Sequence, residues 1–91
     1  MSEGLNLILF TAPGCAPCGP AKAVLARLLD AGLVSGSVVD VTAKPALAAR
    51  YDVQSVPTLI VNRGLAPDAV YIGSKAGEYL GKLEKELTRG R

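Results

Sequence analysis

The chain has 91 residues, 49% of them apolar and 20% charged, enough for one globular unit that buries roughly 60 to 65% of its unfolded surface and too apolar for a disordered segment. Ten Lys plus Arg against eight Asp plus Glu give a net charge of +2, with the basic residues scattered along the sequence. With one Phe, three Tyr and no Trp for stacking, neither a duplex footprint nor a single-strand nucleic-acid surface is encoded. Leu5 to Phe10 is a nearly continuous apolar run ended by Thr11-Ala12-Pro13-Gly14, the pattern of a strand covered on both faces that enters a tight turn. Ala21, Val24, Leu25, Leu28 and Leu29 recur at helical spacing and predict a helix through Asp30, with Gly32 as its C-cap. Ser37 to Val41 reads as a short strand, and Lys44-Pro45 opens a second helix, the alanine-rich segment Ala46 to Tyr51. Val56 to Val61 is β-branched and apolar, a third strand; a long loop from Asn62 through Pro67 leads to the weaker strand Ala69 to Ile72.

Gly73-Ser74 precedes a last amphipathic helix, with Ala76, Leu80, Leu83 and Leu87 on one face. Ser74 is its expected N-cap, and Glu78–Lys82 and Lys82–Glu86 are its expected i,i+4 pairs. The order β-α-β-α-β-β-α predicts one α/β domain over residues 1–91, built on a four-stranded mixed sheet with helices on both faces. The first three strands should include parallel pairing through right-handed crossovers, and the last two should be antiparallel neighbours. Met1 to Gly4 carries no Lys or Arg, Leu5 to Phe10 is shorter than a signal-peptide core, and no apolar run reaches 18 residues. A cytoplasmic address without a membrane span is the expectation. In such a reducing compartment a purely structural disulfide is disfavoured, so Cys15 and Cys18 need another role.

Cys15-Ala16-Pro17-Cys18 falls between the end of a strand and the first turn of a helix, a context far more specific than the spacing alone. Unpaired amides and the dipole at a helix N-terminus favour the thiolate of the first cysteine. Lowering a thiol pKa from about 8.5 to about 7 raises its thiolate fraction at neutral pH from roughly 3% to roughly half. Cys15 is therefore the better-placed nucleophile, and Cys18, further into the helix and more covered, is the resolving thiol. A structural zinc site would need four ligands, where this chain offers two cysteines and no histidine. An iron–sulfur cluster shared across a dimer meets the same shortage. Buried free cysteines are the bland alternative, opposed by Pro13, Gly14 and Pro17, which place the pair in surface turns.

Taken alone, Pro57 is a trans residue at a strand entry, since only about 5 to 6% of X-Pro bonds are cis. The CxxC after strand one, the segment Tyr51-Asp52-Val53-Gln54-Ser55-Val56-Pro57-Thr58 and the Gly73 that follows strand four together resemble the thioredoxin-fold family in its minimal, glutaredoxin-sized form. The resemblance spans nearly the whole chain. It implies a three-layer α/β/α fold, a cis Val56-Pro57 bond beside the cysteines, and reduction of protein disulfides by dithiol exchange. It also implies that the Val56 backbone receives an extended substrate segment, with Pro57 and Gly73 as further substrate-binding positions. Gly73 reads equally well as a turn glycine between strand and helix. No cofactor or metal is implied beyond the Cys15–Cys18 pair. The implied partners are disulfide-bearing proteins and an upstream reductase or glutathione, with the chain a monomer. Gly14 stands where thioredoxins usually carry Trp, Leu9 where they carry a buried Asp, and Gly73-Ser74-Lys75-Ala76-Gly77 where glutathione-using glutaredoxins carry Gly-Gly and an acidic pair. Pro20 would crowd a helix begun at Ala16, so either the first turn is irregular or regular helix begins near Cys18. A redox-inactive protein-binding or metal-handling module on the same fold is the alternative function.

Overall fold

Seven elements follow in the anticipated order in the computed structural model, which describes residues 5–63 and 67–89. They are β1 (Leu5–Thr11), α1 (Cys18–Asp30), β2 (Ser35–Asp40), α2 (Pro45–Arg50), β3 (Thr58–Arg63), β4 (Pro67–Ile72) and α3 (Ser74–Thr88). The sheet runs β2-β1-β3-β4, with β1 and β2 parallel, and β1–β3 and β3–β4 antiparallel. Side-chain alternation divides β1 between two layers. Leu5, Leu7 and Leu9 join Leu59, Val61 and Ala21, Leu25, Leu28, Ala76 and Leu80 of α1 and α3 in one buried cluster. Ile8 and Phe10 turn the other way and meet Ile60, Val39 and Ala48 of α2. Both faces of β1 are thus covered, which is why its sequence is continuously apolar.

Local chemistry sets the helix ends. Regular helix starts at Cys18, which puts Pro20 in the first turn, where its missing N–H has no partner to lose. At the other end Gly32 adopts φ +71°, its N–H donates to the Leu29 carbonyl at 3.0 Å and the Leu33 N–H to the Leu28 carbonyl at 3.1 Å. This is a complete Schellman motif closed by the apolar Leu28 and Leu33. The end of α2 repeats it with Asp52 at φ +56°, through Asp52 N–H to Ala49 and Val53 N–H to Ala48.

Five expectations shift. β2 spans residues 35–40 and begins at Ser35, since Ser35 already pairs with Asn6. β3 begins at Thr58, after the donor-less Pro57. Pro67 is the first residue of the edge strand β4, a position that tolerates proline, while Gly64 of the anticipated loop lies outside the described residues. Ser74 is the first helical residue of α3, and the N-cap is Gly73, at φ +66° and without a side-chain cap bond. Among the described residues neither anticipated i,i+4 pair of α3 closes into an ion pair. Glu84 instead reaches across to α1, where Arg27 Nε and Nη2 donate to its two oxygens at 2.7 and 3.0 Å.

Candidate active site

Two consecutive turns build the loop that carries the cysteines. Pro13 and Gly14, the latter at φ +79°, occupy the central positions of a turn closed by the Cys15 N–H on the Ala12 carbonyl at 3.2 Å. Pro at the second position and a positive-φ Gly at the third are what a type II turn requires. That conformation accounts for glycine at position 14. The Cys18 N–H then donates to the Cys15 carbonyl and the Gly19 N–H to the Ala16 carbonyl, both at 3.2 Å, which winds the chain into α1. The Cα atoms of Cys15 and Cys18 stand 5.4 Å apart and their sulfurs are joined in a disulfide, so the molecule is in its oxidised form. Cys15 is half-buried ahead of the helix, whereas Cys18, inside its first turn, is 3% exposed.

Register gathers the other site residues at this end of the sheet. Phe10 pairs with Thr58 and Thr58 with Ile72, so the residues leaving β1, preceding β3 and following β4 are neighbours. These are the CxxC loop, Val56-Pro57 and Gly73. The Val56-Pro57 bond is cis, with Pro57 fully buried and Val56 half-buried against the α2 layer. The Gly73 N–H donates to the Pro57 carbonyl at 2.8 Å. Gly73 therefore serves as the turn glycine that ties the β4–α3 junction to the proline. The Thr58 hydroxyl donates to the Ser55 carbonyl at 2.7 Å and pins the loop that presents Val56, a role that the Val56-Pro57-Thr58 motif does not by itself reveal. A buried hydroxyl at a strand entry, where it needs a partner, is the signal that points to that bond.

Electrostatics at this end come from the close of β2, where Asp40 sits opposite Thr11. Its Oδ1 accepts from the Thr42 hydroxyl at 2.6 Å and the Thr42 N–H at 2.8 Å. Those two bonds, helped by the Ala43 amide and then Lys22, hold the Asp40 carboxyl below its ordinary range. Leu9 is fully buried in the α1-side cluster, and among the described residues the buried polar side chains are those of Thr11 and Thr58. The strand beneath the cysteines thus offers no ionisable group from the position of Leu9.

The thioredoxin family model matches residues 1–86. Thioredoxin of Staphylococcus saprophyticus is 36% identical over 92 residues, covering 96% of this chain and 86% of that protein, and thioredoxin of Staphylococcus aureus is 34% identical over 90. The chain belongs to the thioredoxin family. Among solved thioredoxins, a point mutant of the Halobacterium salinarum protein superposes with a TM-score of 0.76 at 27% identity, over 97% of this chain and 79% of that one. Mitochondrial thioredoxin 3 of Saccharomyces cerevisiae, in its oxidised form, gives 0.74 at 26% identity, over 91% and 78%. With the paired Cys15 and Cys18, this thioredoxin-family chain is a thiol-disulfide oxidoreductase that acts on protein disulfides by dithiol exchange.

Proposed function

We propose that Cys15 is the attacking nucleophile and Cys18 the resolving thiol. The observation that carries this assignment is the asymmetry within the disulfide, a half-buried cysteine ahead of a 13-residue helix joined to a buried one inside it. In the reduced protein the Cys15 thiolate, favoured at the positive end of α1, attacks one sulfur of a substrate disulfide. A Cys15–substrate bond forms, the substrate S–S bond breaks, and the first substrate thiolate leaves and takes a proton from water. Cys18 then loses its proton to water and attacks the Cys15 sulfur. The Cys15–Cys18 bond forms and the second substrate thiolate departs, so two electrons have passed to the substrate. Val56 offers its backbone at the bend before Pro57 to an extended substrate segment, and Gly73 lines the same approach.

No group besides the cysteine pair is needed for this exchange. Two electrons and two protons from an upstream reductase or glutathione return the pair to the dithiol. The chain works as a single-domain monomer in a reducing, cytoplasmic compartment, and no helix among the described residues is long and apolar enough to cross a membrane. The test is Cys18→Ser, which keeps the size of the resolving group without its nucleophilicity. Complexes joined through Cys15 should accumulate with disulfide-bearing proteins, dissolve in dithiothreitol and be absent from Cys15→Ser, as read on non-reducing gels with peptide mapping. Equal behaviour of the two variants would overturn this division of roles between the two cysteines.

A further inference from the structure

Among the described residues, the large apolar side chains left exposed are Val38, Val70 and Ile72, and two of these stand together on β4 at 52 and 55% exposure. Their place follows from the pleat. Ala69 and Tyr71 turn to the α1–α3 layer and are packed there, so Val70 and Ile72 face the layer of α2. That helix is six residues long; it buries Ile60, the register partner of Val70, and leaves β4 uncovered. Between β4 and the loop that follows α2 lies a groove of about 350 Å³, lined by Tyr51, Asp52, Val53, Gln54, Ser55, Thr58, Val70 and Ile72. Asp52 is the one charged residue in that lining, held at φ +56° by the cap of α2, with its Oδ1 accepting from Gln54 Nε2 at 3.2 Å.

Resting on the dithiol-exchange reading, we propose that this groove selects substrates. It takes an apolar side chain from the extended segment that carries the reacting cysteine, with a Lys or Arg beside it facing Asp52. Continuity with the disulfide site supports this occupant. Thr58 and Ile72 form a register pair at the groove's end, and the residues next to them, Pro57 and Gly73, are joined by a hydrogen bond beside Val56, the position proposed above to receive the substrate backbone. A chain that passes Val56 and continues as a strand advances about 3.3 Å per residue, so the groove is reached within a few positions of the cysteine. Two exposed side chains do not approach the roughly 800 Å² per partner of a stable dimer, which sets a second copy aside.

The experiment compares disulfide-linked peptides that carry Leu-Arg, Leu-Glu, Ser-Arg or Ser-Glu after the reacting cysteine, with dithiothreitol as electron donor. Each kcat/KM is divided by that for bis(2-hydroxyethyl) disulfide, which is too small to fill the groove. The Leu-Arg peptide should lead the Ser-Glu peptide by about tenfold, the scale of partly burying one Leu side chain. Ile72→Ser and Val70→Ser should remove the Leu preference, and Asp52→Asn, which tolerates the same backbone, the Arg preference. Equal ratios for all four peptides would overturn the groove while leaving dithiol exchange intact. Failure to reduce even the small disulfide would remove the reading beneath it, and the groove with it. Concentration-dependent dimers lost in Val70→Ser would assign this face to self-association and equally overturn the proposal.

Discussion

Cys15 and Cys18 are separated by one turn of chain, yet they occupy different physical settings, and their chemistry should differ accordingly. Cys15 lies half-buried at the positive end of α1, where an anion is favoured. Cys18 is 3% exposed, and burial in apolar surroundings disfavours a thiolate. In the reduced protein Cys15 should therefore titrate below the ordinary thiol value of about 8.5 and Cys18 above it. Alkylation rate against pH on the two single-cysteine variants measures both values, and coincident titration near 8.5 would contradict the division of roles. Leu9 sharpens this expectation, since a hydrocarbon buried in the α1-side cluster supplies no carboxylate from β1 to take the Cys18 proton.

At the scale of elements, two glycines show how differently backbone demands arise. Gly32 closes α1 at φ +71°, and a Cβ added there would meet nothing within 4 Å. Gly32→Ala should consequently cost only the left-handed conformational penalty, about 1 kcal/mol. Gly36, the second residue of β2 and at φ +152°, stands opposite Leu7, and its Cβ would collide with the Leu7 carbonyl oxygen and come within 2.9 Å of the carbonyl carbon. Both neighbours are backbone of the central strand, so Gly36→Ala must part β2 from β1, at about 3 kcal/mol or more. Urea denaturation of the two variants should give a small and a large loss of midpoint respectively; equal losses would refute the close-approach account of Gly36.

For the whole molecule, acid stability follows from carboxylates tied to distant or local donors. Asp40 is held below the ordinary range by the Thr42 hydroxyl and amide, and Glu84 by its hydrogen bonds and charge pairing with Arg27. A folded-state pKa below the unfolded one means that the unfolded chain binds more protons as pH falls. The stabilisation is then complete above the unfolded value, near pH 4, and fades as pH drops through the folded one. Asp40→Asn and Glu84→Gln should each flatten the decline in stability below about pH 4, as followed by thermal melts across pH 2 to 7. Because Arg27 and Glu84 meet near the surface, the Glu84 contribution should also shrink in high salt. An unchanged acid limb in both variants would show that other carboxylates govern it.

The sequence by itself determined the elements, their order and the cysteine pair, because each signal is local. Helical spacing in α1, continuous apolarity in β1, Pro-Gly before Cys15 and glycine after α1 all act within a few residues. It also made Gly73 legible as a turn glycine, whereas the cis state of Val56-Pro57 was readable only through the family resemblance, since most such bonds taken alone are trans. Tertiary structure decided what depends on residues far apart in the chain. The collision awaiting any side chain at Gly36 needs Leu7 beside it; the bond of Gly73 to Pro57 needs the β3–β4 register; Arg27 finds Glu84 57 positions away rather than a helical neighbour. The open groove beside β4 belongs to the same class. Val70 and Ile72 read as ordinary strand residues, and only the short reach of α2 across the sheet leaves them bare, because burial is a property of what lies opposite a side chain and not of the side chain itself.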